Sequence, residues 1–388
     1  MEPARAPEGG RRLDPAAEDL GAVGGLAPSG PGSAKHDGGP AARRSRRLER
    51  AAALRRSSLA VLVRAVREFT SLAASPAWWL GLALSVALAV GAVMGPLRAA
   101  LLAAAGFTEP WRDPEVALAE ALPVLGLWAL PLALCPWALL TGVAAPLRPR
   151  HGAGRAALAR ILGRGLLAAA AAAAAHAIAG AALGAQPPLV GPAAASGAWT
   201  AGLLAAVGTG LRTAVVHPWP SWAAAAVAVL WLGAGNAAAA LWLLPATESS
   251  IPRHYAVNVE RDSDGMLVSF ECTDFELAPY TGPRSEMVAW IAASNPALVA
   301  VAATGDAVPR GSVVAWTADA YASAAVGPSA WEPCLEGHST RPGGAAPLDV
   351  LGHAQLAAAA AALVGIGSLR RRVRRSRVGA GLEGEEHP

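Results

Sequence analysis

Lysine is all but missing from this chain: Lys35 stands alone among 388 residues. A phosphate-gripping loop of the Gly-x-x-x-x-Gly-Lys-Ser/Thr kind ends on a lysine, and the residues around Lys35 form none, which excludes nucleotide hydrolysis through such a loop by this chain. Charge of both signs is scarce, at 15% of residues, where a soluble domain carries about 25%. Three cysteines exclude a dense disulfide scaffold. No His-Glu-x-x-His occurs, and His254, His338, Asp274 and Glu332 do not fall at metal-ligand spacing with the cysteines, so neither a metal nor a cofactor nor an enzymatic centre is expected. No Asp or Glu interrupts the long apolar runs. Transporters coupled to protons or sodium usually place a carboxylate there.

Apolar residues are what the chain has in excess, at 54% with a mean hydropathy of +0.37. That composition belongs to integral membrane proteins. Arginine carries nearly all the positive charge, and the Ala, Gly, Pro and Arg bias is what a GC-rich bacterial genome imposes. A bilayer core needs about 20 helical residues to cross, and six runs qualify: 77–97, 122–147, 157–183, 193–216, 222–244 and 351–369. The third is the weakest of the six, being mostly alanine, which is only marginally favourable in a bilayer.

The organisation follows. Residues 1–41 have no apolar periodicity and read as a disordered cytoplasmic tail. Residues 42–70 carry nine arginines, with Leu59, Leu62, Val63, Val66 and Phe69 at helical spacing, and read as a basic amphipathic helix on an anionic leaflet. A nucleic-acid reading of the arginine cluster exists, but adjacency to a span favours the membrane. Spans one to five fill 71–245, an extracytoplasmic domain fills 246–349, span six fills 350–369, and a basic cytoplasmic tail runs over 370–388. Orientation comes from arginine placement. The stretch 42–70, the connection with Arg148, Arg150, Arg155, Arg160 and Arg164, Arg212 and the tail from Arg370 all fall on one side of six spans. Basic ends on one side require an even number of spans.

Between 246 and 349 thirteen acidic residues face five arginines, an excess of eight negative charges that excludes a nucleic-acid surface there. Tyr255–Glu260 and Met266–Cys272 read as a β-hairpin around an Asp-Gly turn. Pro283–Ala293 reads as a helix, and Leu298–Ala303 and Ser312–Trp316 as strands, giving a small α+β domain. Cys272 and Cys334 share this segment, and an oxidising compartment would bridge them; two free thiols are the alternative.

Polar residues inside the spans are few: His176, Ser196, Thr209, Asn236, His353 and Gln355. Each is a functional candidate by its location, although a buried Ser or His more often bonds across helices. Ser196-Gly197 with His176 hints at an intramembrane serine hydrolase, but Ala194 stands where that motif has glycine.

The basic helix over Val61–Phe69, followed by Ser75-Pro76-Ala77-Trp78-Trp79 at the first span, resembles the start of ABC-2-type transporter permeases. The resemblance is one of layout and covers about 59–370. It implies six spans, both termini inside, the largest outer domain between the fifth and sixth spans, and a coupling element for a cytoplasmic ATPase subunit at Arg148–Arg164. The partners expected are the lipid bilayer, that ATPase subunit and a second copy of the chain; nucleic acid is not among them. A non-transporting membrane protein whose outer domain binds or senses a ligand, or scaffolds an envelope complex, stands beside the permease reading.

Overall fold

The computed structural model describes residues 40–104, 114–144, 153–215, 217–261, 267–309, 312–330, 332–335 and 347–383. The tail expected over 1–41 lies almost wholly outside them, as do Arg148, Arg150 and the hairpin turn 262–266. Contacts divide the chain into two compact units, 1–54 and 55–388. In the first, residues 40–54 are helical; the packing described below concerns residues from 55 on.

The helices are α1 (Pro40–Ala73), α2 (Pro76–Ala104), α3 (Pro114–Val143), α4 (Ala153–Ala182) and α5 (Pro187–Ala214). Then α6 (Pro218–Leu230) passes through a π turn (Trp231–Gly235) into α7 (Asn236–Leu243). Two strands follow, β1 (Glu248–Arg261) and β2 (Leu267–Pro283), then α8 (Ala289–Ala292), α9 (Pro296–Thr304), α10 (Val313–Val326) and α11 (Leu348–Glu383).

Five helical stretches are long and apolar enough to cross a membrane: Glu120–Val143, Ala157–Ala182, Pro187–Ala214, Pro218–Thr247 and Leu348–Arg370. The run at 77–97 lies in α2. It counts towards a sixth span only when Pro76–Gly91 is taken together with Ser57–Ala73, to which it is bent by 68°. Proline makes the bend. Pro76 has no N–H to continue the ladder, and its ring disfavours helical geometry at Ser75. The Trp79 indole Nε1 donates to the Ala73 carbonyl (2.7 Å), satisfying a group that the end of α1 leaves open.

α3, α4 and α5 form the middle of the bundle, with α2 and α11 packed on its sides. Small residues let backbones touch. A Cβ built on Gly208 of α5 would meet the Leu139 carbonyl of α3, and one on Gly142 of α3 the Ala205 carbonyl of α5. Such close approach is how helices gain van der Waals contact where hydrocarbon surrounds them and burial alone drives nothing.

The segment between α7 and α11 is more helical than its sequence implies. β1 and β2 pair antiparallel from Glu248↔Pro283 to Arg261↔Leu267, with four register shifts. The ribbon extends well beyond the expected hairpin. Pro283 closes β2 instead of opening a helix; only a 3-10 turn at Ser285–Met287 and the four-residue α8 follow. The strands expected at Leu298–Ala303 and Ser312–Trp316 are α9 and the first turn of α10. A short apolar run has no periodicity to separate strand from buried helix. The caps carried the signal. The Asn295 side chain accepts from the Ala297 and Leu298 amides ahead of Pro296, and Ser312 accepts from Ala315.

Cys272 and Cys334 form a disulfide, and the Cα atoms lie 5.4 Å apart. It ties β2 to the segment 332–335, which also holds Arg253 of β1 through the Glu332 carboxylate (3.1 Å) and receives the His254 amide at the Cys334 carbonyl (3.0 Å). The bridge closes a separation of 62 residues, worth about 4 kcal/mol in the chain-entropy account. Cys272→Ser is expected to lower the unfolding free energy of this segment by that order, read from protection of β2 amides in hydrogen exchange. Unchanged protection would mean that the ribbon holds itself.

Candidate functional site

Three polar clusters lie inside or against the bundle. The first is ionic. Glu68 of α1 reaches Arg164 of α4, with Nε and Nη2 both 3.3 Å from Oε2, and Arg160 one turn away at 3.8 Å. Arg164 also donates from Nη1 to the Thr141 carbonyl of α3 (2.5 Å). The crossing is close because position 163 is glycine: a Cβ there would meet the Ala65 carbonyl. The Thr141 hydroxyl accepts from the Trp78 indole (3.0 Å) and donates to the Trp137 carbonyl (2.8 Å), while the Trp137 indole donates to the Trp78 carbonyl (3.2 Å). One network therefore joins α1, α2, α3 and α4 around the bend.

This placement corrects the expected coupling loop. Arg160 and Arg164 are buried within α4 and engaged with Glu68, not displayed on a connection. Helix begins already at Ala153, so Arg155 also stands in α4. Burying a guanidinium requires a partner, and Glu68 supplies it from 96 positions away.

The second cluster lies where α9 enters the bundle. Val299, Ala300 and Thr304 are fully buried against α3 and its neighbours, and the Trp128 indole donates to the Thr304 hydroxyl (2.7 Å). At the start of α9, Asn295 Nδ2 donates to the Gly233 carbonyl (3.1 Å) and to Asn236 Oδ1 (3.2 Å), and Asn236 Nδ2 donates to the Ser294 hydroxyl (3.4 Å). Gly233 lies inside the π turn, in which the Asn236 amide bonds the Trp231 carbonyl. A π turn leaves the regular ladder incomplete, and Asn295 takes up a carbonyl within it. Sequence reading found Asn236 and missed Ser294 and Asn295; the Asn-Pro pair ahead of an apolar run was the available signal.

The third cluster surrounds α5. His176 is fully buried on α4; its Nδ1 lies 2.7 Å from the Ala172 carbonyl, and its ring fills the space beside Gly197. His176 Nε2 and the Ser196 hydroxyl are both buried without a hydrogen-bond partner, and they do not bond each other. The hydrogen bond that joins a serine nucleophile to its base, at about 3 Å, is not formed between them. From the other side, His353 Nε2 of α11 meets the Thr200 hydroxyl at 3.2 Å. Thr209 bonds the Ala205 carbonyl of its own helix, and Gln355 Nε2 donates to the Trp290 carbonyl (2.8 Å). Of these contacts, the His353–Thr200 and Gln355–Trp290 bonds join one helix to another.

Outside the spans, Tyr321 of α10 has a buried hydroxyl with no partner. Burial, and then the Asp349 carboxylate, push its pKa above the usual phenol value. Among the described residues no group of three His, Cys, Asp or Glu is gathered closely enough to hold a metal ion. Comparison with protein-family models, with curated proteins and with solved structures finds no match to this chain.

Proposed function

We propose that the chain is the permease-like membrane subunit of a transporter powered by a separate ATPase subunit. In this reading it has six spans, both termini in the cytoplasm and the 246–349 segment on the opposite side. The observation that carries the proposal is the lock at the α1–α2 bend. α1 is fixed to α4 by Glu68 with Arg160 and Arg164, and α2 to α3 by Trp78, Trp137 and Thr141. A push on α1 is then passed to three helices as a rigid unit. Such movement of packed elements is how a remote energy source does work on a membrane bundle. The layout resemblance supplies the ATPase as the source of the push. Arg148 and Arg150, in the connection just before α4, would be the residues that engage it, since charge sets encounter and register at such a surface.

The test is co-purification from mild detergent. An ATPase subunit should accompany the chain, and Arg148→Glu with Arg150→Glu should release it while Glu68 and Arg164 remain untouched. Cysteines introduced at 149 and at 258 should react with an impermeant thiol reagent from opposite sides. Labelling of both from outside would sink the topology, and absence of any ATPase from the wild-type preparation would sink the permease. The second reading, a ligand-binding outer segment, is favoured by the two-stranded ribbon, which leaves Tyr255, Val259 and Phe275 exposed. It would then take precedence.

A further inference from the structure

A slot of about 280 Å³ opens between α5, the π turn and α11. Its walls are apolar: Leu211 of α5, Trp231 and Leu232 of the π turn, and Leu356, Ala359 and Leu363 of α11. Beside the Trp231 indole N–H, the polar groups among the lining residues are those of Ser294 and Gln355. On α11 the lining positions 355, 356, 359 and 363 follow one helical face. At 1.5 Å per residue they trace a channel about 12 Å long, polar at the Gln355 end and wholly apolar beyond it.

We propose that this slot binds one alkyl chain of an uncharged amphiphile, with the hydroxyl or ester of its head at Ser294 and Gln355. The proposal does not depend on whether the chain transports. Three observations support it. First, the slot lies between two of the membrane-length stretches, Pro218–Thr247 and Leu348–Arg370, and Trp231 and Ala359 on its two sides are exposed. It therefore opens sideways at bilayer depth, where hydrocarbon chains are the solvent. A partner helix, about 10 Å across with its side chains, is too thick for it. Second, the wall is built rather than incidental. The π turn is held by Asn236, Asn295 and Ser294, and π turns concentrate at functional sites. Third, the Trp231 indole lies against Gly235, where a Cβ would come within 3.0 Å of the ring. Glycine there fixes where the indole stands and so the width of the slot. No cation lines the slot, so nothing in it selects an anionic head. Gln355 spends one amide N–H on the Trp290 carbonyl and the Ser294 hydroxyl accepts from Asn236; the second Gln355 N–H, its amide oxygen and the Ser294 O–H are the groups left to hold a hydroxyl or an ester.

The experiment uses the full chain in nanodiscs of a neutral phospholipid, with a monoacylglycerol carrying a diazirine in its tail. After irradiation, peptides covering 228–232 and 355–363 should carry the label, saturably, and unlabelled monoacylglycerol should compete. The exposed face of α2, at Leu84 and Leu88, should be labelled in simple proportion to probe concentration. Ala359→Trp fills the slot from an exposed position and should cut labelling of both slot peptides about tenfold, as for a site whose affinity is lost by that factor, with α2 labelling unchanged. Gly235→Leu, which displaces the indole, should do the same and serves if Ala359→Trp does not fold. Labelling that never saturates and matches that of α2 would mean binding at labelling concentration only and overturns the proposal. So does unchanged labelling in a folded Ala359→Trp protein. A fatty-acid carboxylate that competes as well as the monoacylglycerol overturns the uncharged head.

Discussion

Glu68→Gln is expected to destabilise the protein by about 3 kcal/mol and to free α1 from the bundle. Removing one partner of a buried ion pair leaves the other charge uncompensated, at about 3–5 kcal/mol. Arg164 has a side chain only 5% exposed, whereas Glu68 retains 21%, so the lower end applies. Thermal unfolding of the detergent-solubilised protein measures the loss. The double variant Glu68→Gln, Arg164→Met removes the closer pair and should recover part of the loss, because an apolar replacement of a buried pair is often neutral or better, while the Arg160 contact with Glu68 stays lost. If Glu68→Gln alone unfolds like the wild type, Arg164 is reaching water and the lock at the bend is not energetic. Protease accessibility of the Thr70–Ser75 bend supplies a structural readout: it should rise in the single variant and fall back in the double one.

Gly208→Ala should be among the most damaging single methyl groups that can be added to the described bundle. In a helix interior glycine to alanine ordinarily gains up to about 1 kcal/mol from backbone entropy. At Gly208 the new Cβ would run into the Leu139 carbonyl and crowd Gly142 Cα at 3.1 Å. Backbone on both sides cannot rotate away as a side chain can, so α3 and α5 must separate, with a net loss of about 3 kcal/mol at the upper end of overpacking costs. Gly165→Ala is the matched control. Its Cβ would lie 3.4 Å from the Gly202 carbonyl, close to ordinary contact, and it should be neutral or stabilising. Two identical substitutions of opposite sign, measured by thermal unfolding in the same detergent, separate helix propensity from helix approach. Equal effects would mean that the α3–α5 crossing is looser than its backbone contacts indicate.

The candidate clusters differ in how far they could be read before folding. His176, Ser196, Asn236, His353 and Gln355 were visible because a polar residue in a long apolar run is conspicuous. Their partners were not. Asn236 meets Asn295 across 59 positions and His353 meets Thr200 across 153, and no local pattern encodes such pairings. The arginines near 160 were visible as a charge run, and a charge run has the same appearance whether it docks a partner, marks topology or turns inward to a carboxylate. The glutamate that decides among these sits on α1, in a stretch whose apolar positions had already explained it as an interfacial helix.

Hydropathy over about 20 residues is a property of the chain alone, and so the sequence by itself determined five of the six runs read as spans, the bend-forming Ser75-Pro76 step, the inner part of the antiparallel ribbon and the cysteines available to bridge. These are local facts: transfer free energy summed along a helix, a missing N–H, a period of two around a turn. Only the tertiary structure decided that the apolar runs at 298–303 and 312–316 are helices, because their β-branched residues suit either conformation until α3 and α5 offer a buried face. It likewise decided that Arg160 and Arg164 are buried with Glu68, and that α6 widens into a π turn at Trp231. In each case the deciding energy is the desolvation of a polar group or the burial of a small apolar face, and that depends on which surface arrives opposite.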